Sequence, residues 1–238
     1  LRLNGIKVKE VGIRENGTLD NDDLKNKITE NTRLVAIGWA SNAFGTVNDI
    51  KLARELSYRV GALLLVDAVH YAPHFSIDVQ NLGMDFLLCS SYKFYGPHLG
   101  FLYSKPGKLD QLPVDRLSTQ KQIAPYCIET GTLNHAALAG VNATIAFLSS
   151  LDKGNVLRER LVSGLNAITD HEQQLARKLF KEINLIENLR IVGPKFGEDE
   201  RAPTISFVHD HLAAIDICRI LADHNITAFL VNKQDSAY

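Results

Sequence analysis

Short, nearly uninterrupted apolar runs at Arg33 to Trp39, Ala62 to Val66 and Phe86 to Cys89 set the strongest limit on how this chain can fold. Strands half-covered by solvent alternate apolar and polar residues. Runs without alternation are read as buried strands of a parallel sheet. The segment Asp49 to Tyr58 between the first two runs reads as a helix, as a parallel crossover requires. Gly100 to Tyr103 reads as a further short strand, so the first part of the chain is α/β.

Around this frame, Ile6 to Ile13 alternates loosely and predicts a strand, followed by a turn at Glu15-Asn16-Gly17. Asp20 to Ile28 predicts a short helix with acidic residues in its first turn, where the helix dipole favours them. Leu138, Val141, Ile145 and Leu148 lie at helical spacing. So do Leu161, Leu165, Ile168, Leu175, Leu179 and Ile183, the apolar stripe of a long amphipathic helix. Beyond it come strands at Leu189 to Val192 and Thr204 to Val208, a helix over Ala213 to Ala222 and a strand at Ile226 to Val231. This order predicts a smaller α+β domain. The expected division is therefore 1–154, a partial large domain, and 155–238, a linker helix with a partial C-terminal small domain. Pro106 to Pro125 is the longest loop candidate, and long loops are often functional.

Composition excludes several function classes. With 26 basic and 27 acidic residues, the chain offers no bulk attraction to nucleic acid or to an anionic membrane. The apolar stretch around Gly61 to Val66 is far shorter than the ~20 residues of a membrane helix, and no basic-then-apolar leader opens the sequence. A cytoplasmic location is expected. Cys89, Cys127 and Cys218 are widely spaced and form no CxxC, so neither a disulfide framework nor a zinc site is indicated. The chain opens on Leu1 and stops at Tyr238 just past the last expected strand, and both ends are expected to be incomplete.

Polar groups cluster where the apolar runs stop, which is where open α/β sheets present ligand sites. They are Ser41 to Thr46, Asp67 to His70, Ser90 to Lys93 and Glu129 to Asn134. Singly, each has a plain reading: Asp67 can be a cap, and most lysines are solvated. The flanks of Lys93, Phe86 to Cys89 before it and Phe94-Tyr95-Gly96-Pro97 after it, are poor surface sequence. A lysine among them would be partly desolvated, which lowers its pKa and favours Schiff-base chemistry. His70 and His74 invite a metal reading, but Pro73 between them disfavours the helix that would put both on one face, and no metal site is assigned. There is no GxxxxGK[ST], no dinucleotide fingerprint and no GxSxG. A strand-end Asp and a strand-end Ser-x-x-Lys suit pyridoxal 5'-phosphate (PLP): the carboxylate keeps the pyridine nitrogen protonated, the lysine binds the aldehyde, and nearby hydroxyls can meet the phosphate.

Taken in order, Ser41-Asn42-x-x-Gly45-Thr46, Val66 to His74, Asp85-Phe86, Ser90 to Pro97 and Glu129 to Asn134 resemble the cysteine desulfurase-like branch of the class V aminotransferases. The resemblance is strong over about residues 1–151. It implies the large domain of a fold-type I PLP enzyme, a three-layer sandwich with a mostly parallel sheet. It also implies a role for each matching position. Lys93 is the Schiff-base lysine, Asp67 partners the pyridine nitrogen, and Asn42 lies near the phenolic oxygen. Ser90 and Tyr92 contact the phosphate, although many desulfurases carry His where Tyr92 stands. His70 replaces a frequent Gln near the ring and joins Lys93 as a catalytic candidate. Thr132 reaches the phosphate of a neighbouring subunit, which implies a homodimer with shared sites.

The family's phosphate-cradling loop and ring-stacking residue would precede this sequence, and its substrate-binding Arg and sulfur-carrying Cys would follow it. The three cysteines present do not match that carrier. The expected activity is therefore PLP-dependent chemistry on a small amino acid by Cα deprotonation, followed by sulfur removal. Class V aminotransfer or lyase chemistry is the alternative, and an inactive fragment or interaction protein is a third reading of another class.

Overall fold

The structure is a computed structural model that describes residues 5–197 and 200–231. In chain order its elements are α1 (Asn21–Lys27), β1 (Leu34–Gly38), α2 (Ile50–Arg59), β2 (Leu63–Asp67), α3 (Val79–Leu82), β3 (Phe86–Ser90), β4 (Gly100–Ser104), α4 (His135–Ser150), α5 (Leu157–Ile183), β5 (Leu189–Val192), β6 (Ser206–His209) and α6 (Ala214–Asp223). Contacts divide the chain into two compact units, one of Glu30–Ile37 and Asp49–Ile168, the other of Leu1–Thr29, Gly38–Asn48 and Thr169–Tyr238. Among the described residues no helix is long and apolar enough to cross a membrane.

The first unit is the α/β sheet that the apolar runs predict, with strand order β1-β2-β3-β4. Strands β1 and β2 are joined through helix α2, and β2 and β3 pair in parallel with Asp67 opposite Leu88. Strand β4 runs antiparallel to β3, with Ser90 opposite Gly100, because the connection 91–99 is too short for a crossover. Helix α2 starts at Asp49, whose carboxylate accepts from the Leu52 amide at 3.0 Å, and buries Ile50, Ala53 and Leu56. These residues join Val35, Ile37, Leu64, Val66, Met84, Phe86 and Leu87 in the buried apolar set. Strand β1 is buried on alternate residues only, leaving Leu34 exposed, so it is not covered along its length as its apolar composition predicts.

One buried carboxylate ties the start of this sheet together. Asp85, 4% exposed, accepts from the Leu64 amide at 2.9 Å through its side chain, and its own amide donates to the Leu64 carbonyl. Its carbonyl accepts from the Lys105 amide at 2.8 Å, and the Lys108 ammonium lies 3.4 Å from its carboxylate. The pairing of β2, β3 and β4 is thus pinned at a single residue, with the buried charge both hydrogen-bonded and paired.

In the second unit, α1 is capped by Asp20, whose carboxylate accepts from the Asp22 and Asp23 amides. Strands β5 and β6 form an antiparallel pair followed by α6. Arg201, 2% exposed, donates to the carbonyls of Phe44 at 3.2 Å and Thr204 at 2.5 Å, and its guanidinium lies 4.4 Å from the centre of the Phe196 ring. The Ser41–Thr46 turn packs so closely here that a Cβ on Gly45 would lie 2.7 Å from the Thr204 carbonyl, and its φ of 71° also favours glycine.

Two predicted strands do not form. Residues 6–12 make no ladder, and Ile13 contributes only an isolated bridge to Leu19. Ile226 to Val231 is likewise irregular, and Phe229 is 88% exposed. Alternation indicates which face a strand would bury, but a strand needs a neighbour for its backbone groups, and none pairs with either segment among the described residues.

Asp85→Ala is expected to lower unfolding stability by about 3 kcal/mol, since it strands the Leu64 amide and the Lys108 ammonium at once. Urea unfolding followed by circular dichroism measures this; a loss below about 1 kcal/mol would show that the sheet does not depend on this residue.

Candidate functional site

The chemistry-bearing residues of the first unit gather where β2 and β3 end. Asp67 closes β2 with its side chain exposed, and its carboxylate accepts from the Val69 amide at 2.9 Å, turning the chain out of the sheet. The Ala68 amide still donates to the Leu88 carbonyl at 2.8 Å, so Asp67 remains anchored beside β3. Ser90 closes β3, and Ser91–Phe94 form a short 3-10 turn that carries the half-buried Lys93. A carboxylate and a lysine therefore stand at the carboxyl ends of adjacent parallel strands, where such sheets hold ligands.

The turn is held by Ser91, which is fully buried. Its amide donates to the Leu99 carbonyl at 2.9 Å, and its hydroxyl bonds the carbonyls of Pro97 and Leu99. Tyr95 adopts φ 70°, and Gly96 approaches so closely that a Cβ would lie 2.9 Å from that of Ser91. On the surface of the turn, the Lys93 ammonium lies 4.9 Å from the centre of the Tyr92 ring. The same ring stacks on His98 at 4.5 Å, with the planes 11° apart.

His70 lies in the turn after β2, and its pKa is lowered to about 4. Burial is the largest cause, followed by repulsion from His74 and then from Lys93. The imidazole is therefore neutral near pH 7 and within electrostatic reach of the lysine. Burial also pushes the Cys89 thiol up, and the Asp67 carboxylate adds to the shift.

Contrary to expectation, Pro73 does not separate His70 from His74, whose ring centres are 5.1 Å apart. The Tyr71 and Ala72 amides both donate to the Ala68 carbonyl, and those of His74 and Phe75 both donate to Tyr71, so the segment closes a helix-like turn. Proline lacks only its own donor, and early in a turn that donor is not needed. Among the described residues no three His, Cys, Asp or Glu side chains gather as a metal site would require.

The structure thus brings Asp67, His70, Ser90, Tyr92 and Lys93 to one end of the sheet. Asn42 belongs to the other unit. It is exposed in a turn in which the Ser41 hydroxyl accepts from the Ala43 and Phe44 amides, each at 3.2 Å. Thr132 lies in the exposed approach to α4, just ahead of Asn134, which caps the helix by accepting from the Ala137 amide at 3.0 Å. Sequence reasoning counted Asp85 among the residues that carry the resemblance but gave it no role, and it overlooked His98. For Asp85 the available signal was an acid placed directly before an apolar strand; His98 carried none, because its role depends on the loop that returns it to Tyr92.

The fold and this arrangement define an α/β protein with a lysine and carboxylate site at strand ends. The family model of class V aminotransferases matches residues 1–228, and the chain belongs to that family. It is 31% identical to a probable cysteine desulfurase of Halalkalibacterium halodurans, over 92% of this chain and 53% of that protein. With one of Haemophilus influenzae it shares 32% identity, over 93% and 50% respectively. The solved cysteine desulfurase of Thermococcus onnurineus NA1 matches with a TM-score of 0.78 and 27% identity, over 94% of this chain and 55% of that one. The fold alone also matches the Escherichia coli cysteine desulfurase CsdA, with a TM-score of 0.81 at 24% identity, over 99% of this chain and 57% of that one. The chain spans about half the length of the curated relatives it matches. The expected α/β class with a mostly parallel sheet holds.

Because the folded state holds His70 neutral down to about pH 4 while the unfolded chain protonates it near pH 6.5, unfolding takes up a proton between those values. The stabilisation is whole above pH 6.5 and is lost as pH falls toward 4. On the order of 2 kcal/mol of the acid destabilisation should come from this residue, and His70→Gln should flatten that part of the profile. Urea midpoints at intervals from pH 7.5 to 4 test it; identical slopes in both proteins would exclude His70 as the source.

Proposed function

We propose that the protein is a PLP-dependent enzyme acting on a small amino acid by cysteine desulfurase-like chemistry, with Lys93 holding the cofactor. The observation that carries the proposal is Lys93 and Asp67 at the carboxyl ends of the parallel strands β3 and β2. The residues present fit the group. An exposed carboxylate suits a protonated ring nitrogen, a half-buried amine suits an aldehyde, and the hydroxyls of Ser90 and Tyr92 suit a phosphate. When bound, PLP supplies an electron-withdrawing ring that stabilises negative charge at the substrate Cα.

Lys93 Nζ would hold the cofactor covalently and, once displaced by substrate, take the proton from Cα. Asp67 would accept a hydrogen bond from the ring N–H and keep that proton in place, a charge-assisted contact. His70, neutral near pH 7, can face the ring without setting a second positive charge beside it. The resemblance assigns Asn42 to the phenolic oxygen and Thr132 to the phosphate of a second subunit, so the working unit would be a homodimer. A partial large domain over 1–154, a linker helix with a partial small domain over 155–238 and a cytoplasmic location complete the proposal.

Relatives named cysteine desulfurases support sulfur removal as the outcome. Class V aminotransfer is the second reading, favoured by the match of residues 1–228 to the family model of class V aminotransferases. An inactive or interaction role is the reading that a failure to bind PLP would favour.

Purified protein mixed with PLP is expected to show an absorbance band at the violet edge of the visible range. Borohydride should fix that band covalently, and Lys93→Ala should abolish it. Asp67→Ala should weaken PLP binding by about tenfold or more. Incubation with cysteine should then release alanine and sulfide, whereas a 2-oxo acid would mark aminotransfer; the absence of any band would overturn the proposal.

A further inference from the structure

We propose that the Tyr92 ring, braced by His98, is a platform that holds the Lys93 amine in place, making His98 a positioning residue for that lysine. The inference rests on the reading of Lys93 as the reactive group and adds a role for the ring of Tyr92, as distinct from its hydroxyl. The Lys93 ammonium lies 4.9 Å from the Tyr92 ring centre, inside the range in which an aromatic face attracts a cation. Tyr92 is exposed and would otherwise sample several rotamers. His98 limits that freedom by stacking nearly parallel on it at 4.5 Å.

The loop between them is built to return His98 to this position. Buried Ser91 closes it through its amide on Leu99 and its hydroxyl on Pro97 and Leu99. The absence of a Cβ at Gly96 lets the chain pass within contact of Ser91, and the Thr144 hydroxyl of α4 bonds the Tyr95 carbonyl at 3.4 Å. The platform therefore belongs to the first unit alone and is formed before any cofactor arrives.

The test is competitive acetylation of the cofactor-free protein with acetic anhydride. Labelling at Lys93 is read by mass spectrometry as a ratio to Lys108, whose contact with buried Asp85 reports that the sheet is intact. Removing the ring with Tyr92→Leu should raise the ratio about two- to fivefold, the Boltzmann factor of a surface cation–π contact. His98→Ala should raise it about twofold, as expected when a partly restrained ring is released. Tyr92→Phe and His98→Phe should leave it at the native value, because each keeps an aromatic face. An unchanged ratio in Tyr92→Leu, or a rise in Tyr92→Phe equal to that in Tyr92→Leu, would overturn the platform; an unchanged ratio in His98→Ala would overturn the bracing. Since PLP takes no part, loss of the PLP band would count against the proposed function alone.

Discussion

The pairing of β2 with β3 is the constraint on which the first unit depends, and Asp85 is what sets it. Side chains alternate faces along a strand, so a slip of one residue would exchange the two faces of β2 and move Asp67 away from the end of β3. Hydrophobic burial alone does not fix register, because Leu63, Leu64, Leu65 and Val66 are nearly interchangeable as apolar groups. Asp85 breaks that degeneracy. Its carboxylate accepts from the Leu64 amide and its own amide donates to the Leu64 carbonyl, while its carbonyl holds the residue after β4. Desolvating the carboxylate is costly, which is why it also keeps the Lys108 ammonium within reach.

From that register the electrostatics of the strand ends follow. Asp67 is carried out beside Cys89, and the turn after β3 sets Lys93 within reach of His70. Burial, then His74 and Lys93, disfavour a charged imidazole at that position. The fold therefore keeps His70 neutral. The lysine in turn rests over an aromatic ring that its own turn supplies.

The second unit uses a cation in a comparable way. Arg201 is buried among the carbonyls of Phe44, Pro194, Ala202 and Thr204 and against two phenylalanine rings. Guanidinium has several donors in a fixed plane, so one side chain can bond carbonyls from separate loops. The carbonyls of Thr204 and Ala202 and the guanidinium itself are what a Cβ on Gly45 would meet.

Much of this was legible in the chain itself, and for a common reason. Apolar runs at Leu34, Leu63 and Phe86, helices starting near Asp20 and Asp49, and the helical stripe of Leu161 to Ile183 are local patterns whose physical consequence is local too. Asp67, Ser90 and Lys93 were readable as a group because strand ends in α/β sheets are where polar residues converge. Ile6 to Ile13 and Ile226 to Val231 were misread because alternation reports a preference while pairing requires a partner. The approach of His70 to His74 depended on where the turn begins relative to Pro73, which spacing does not reveal. The sequence by itself determined which segments become buried strands and amphipathic helices, and which chemical groups stand at the strand ends. Only the tertiary structure decided that Asp85 sets the register, that His70 is neutral and that His98 stacks on Tyr92, because each depends on distances between residues that only packing brings together.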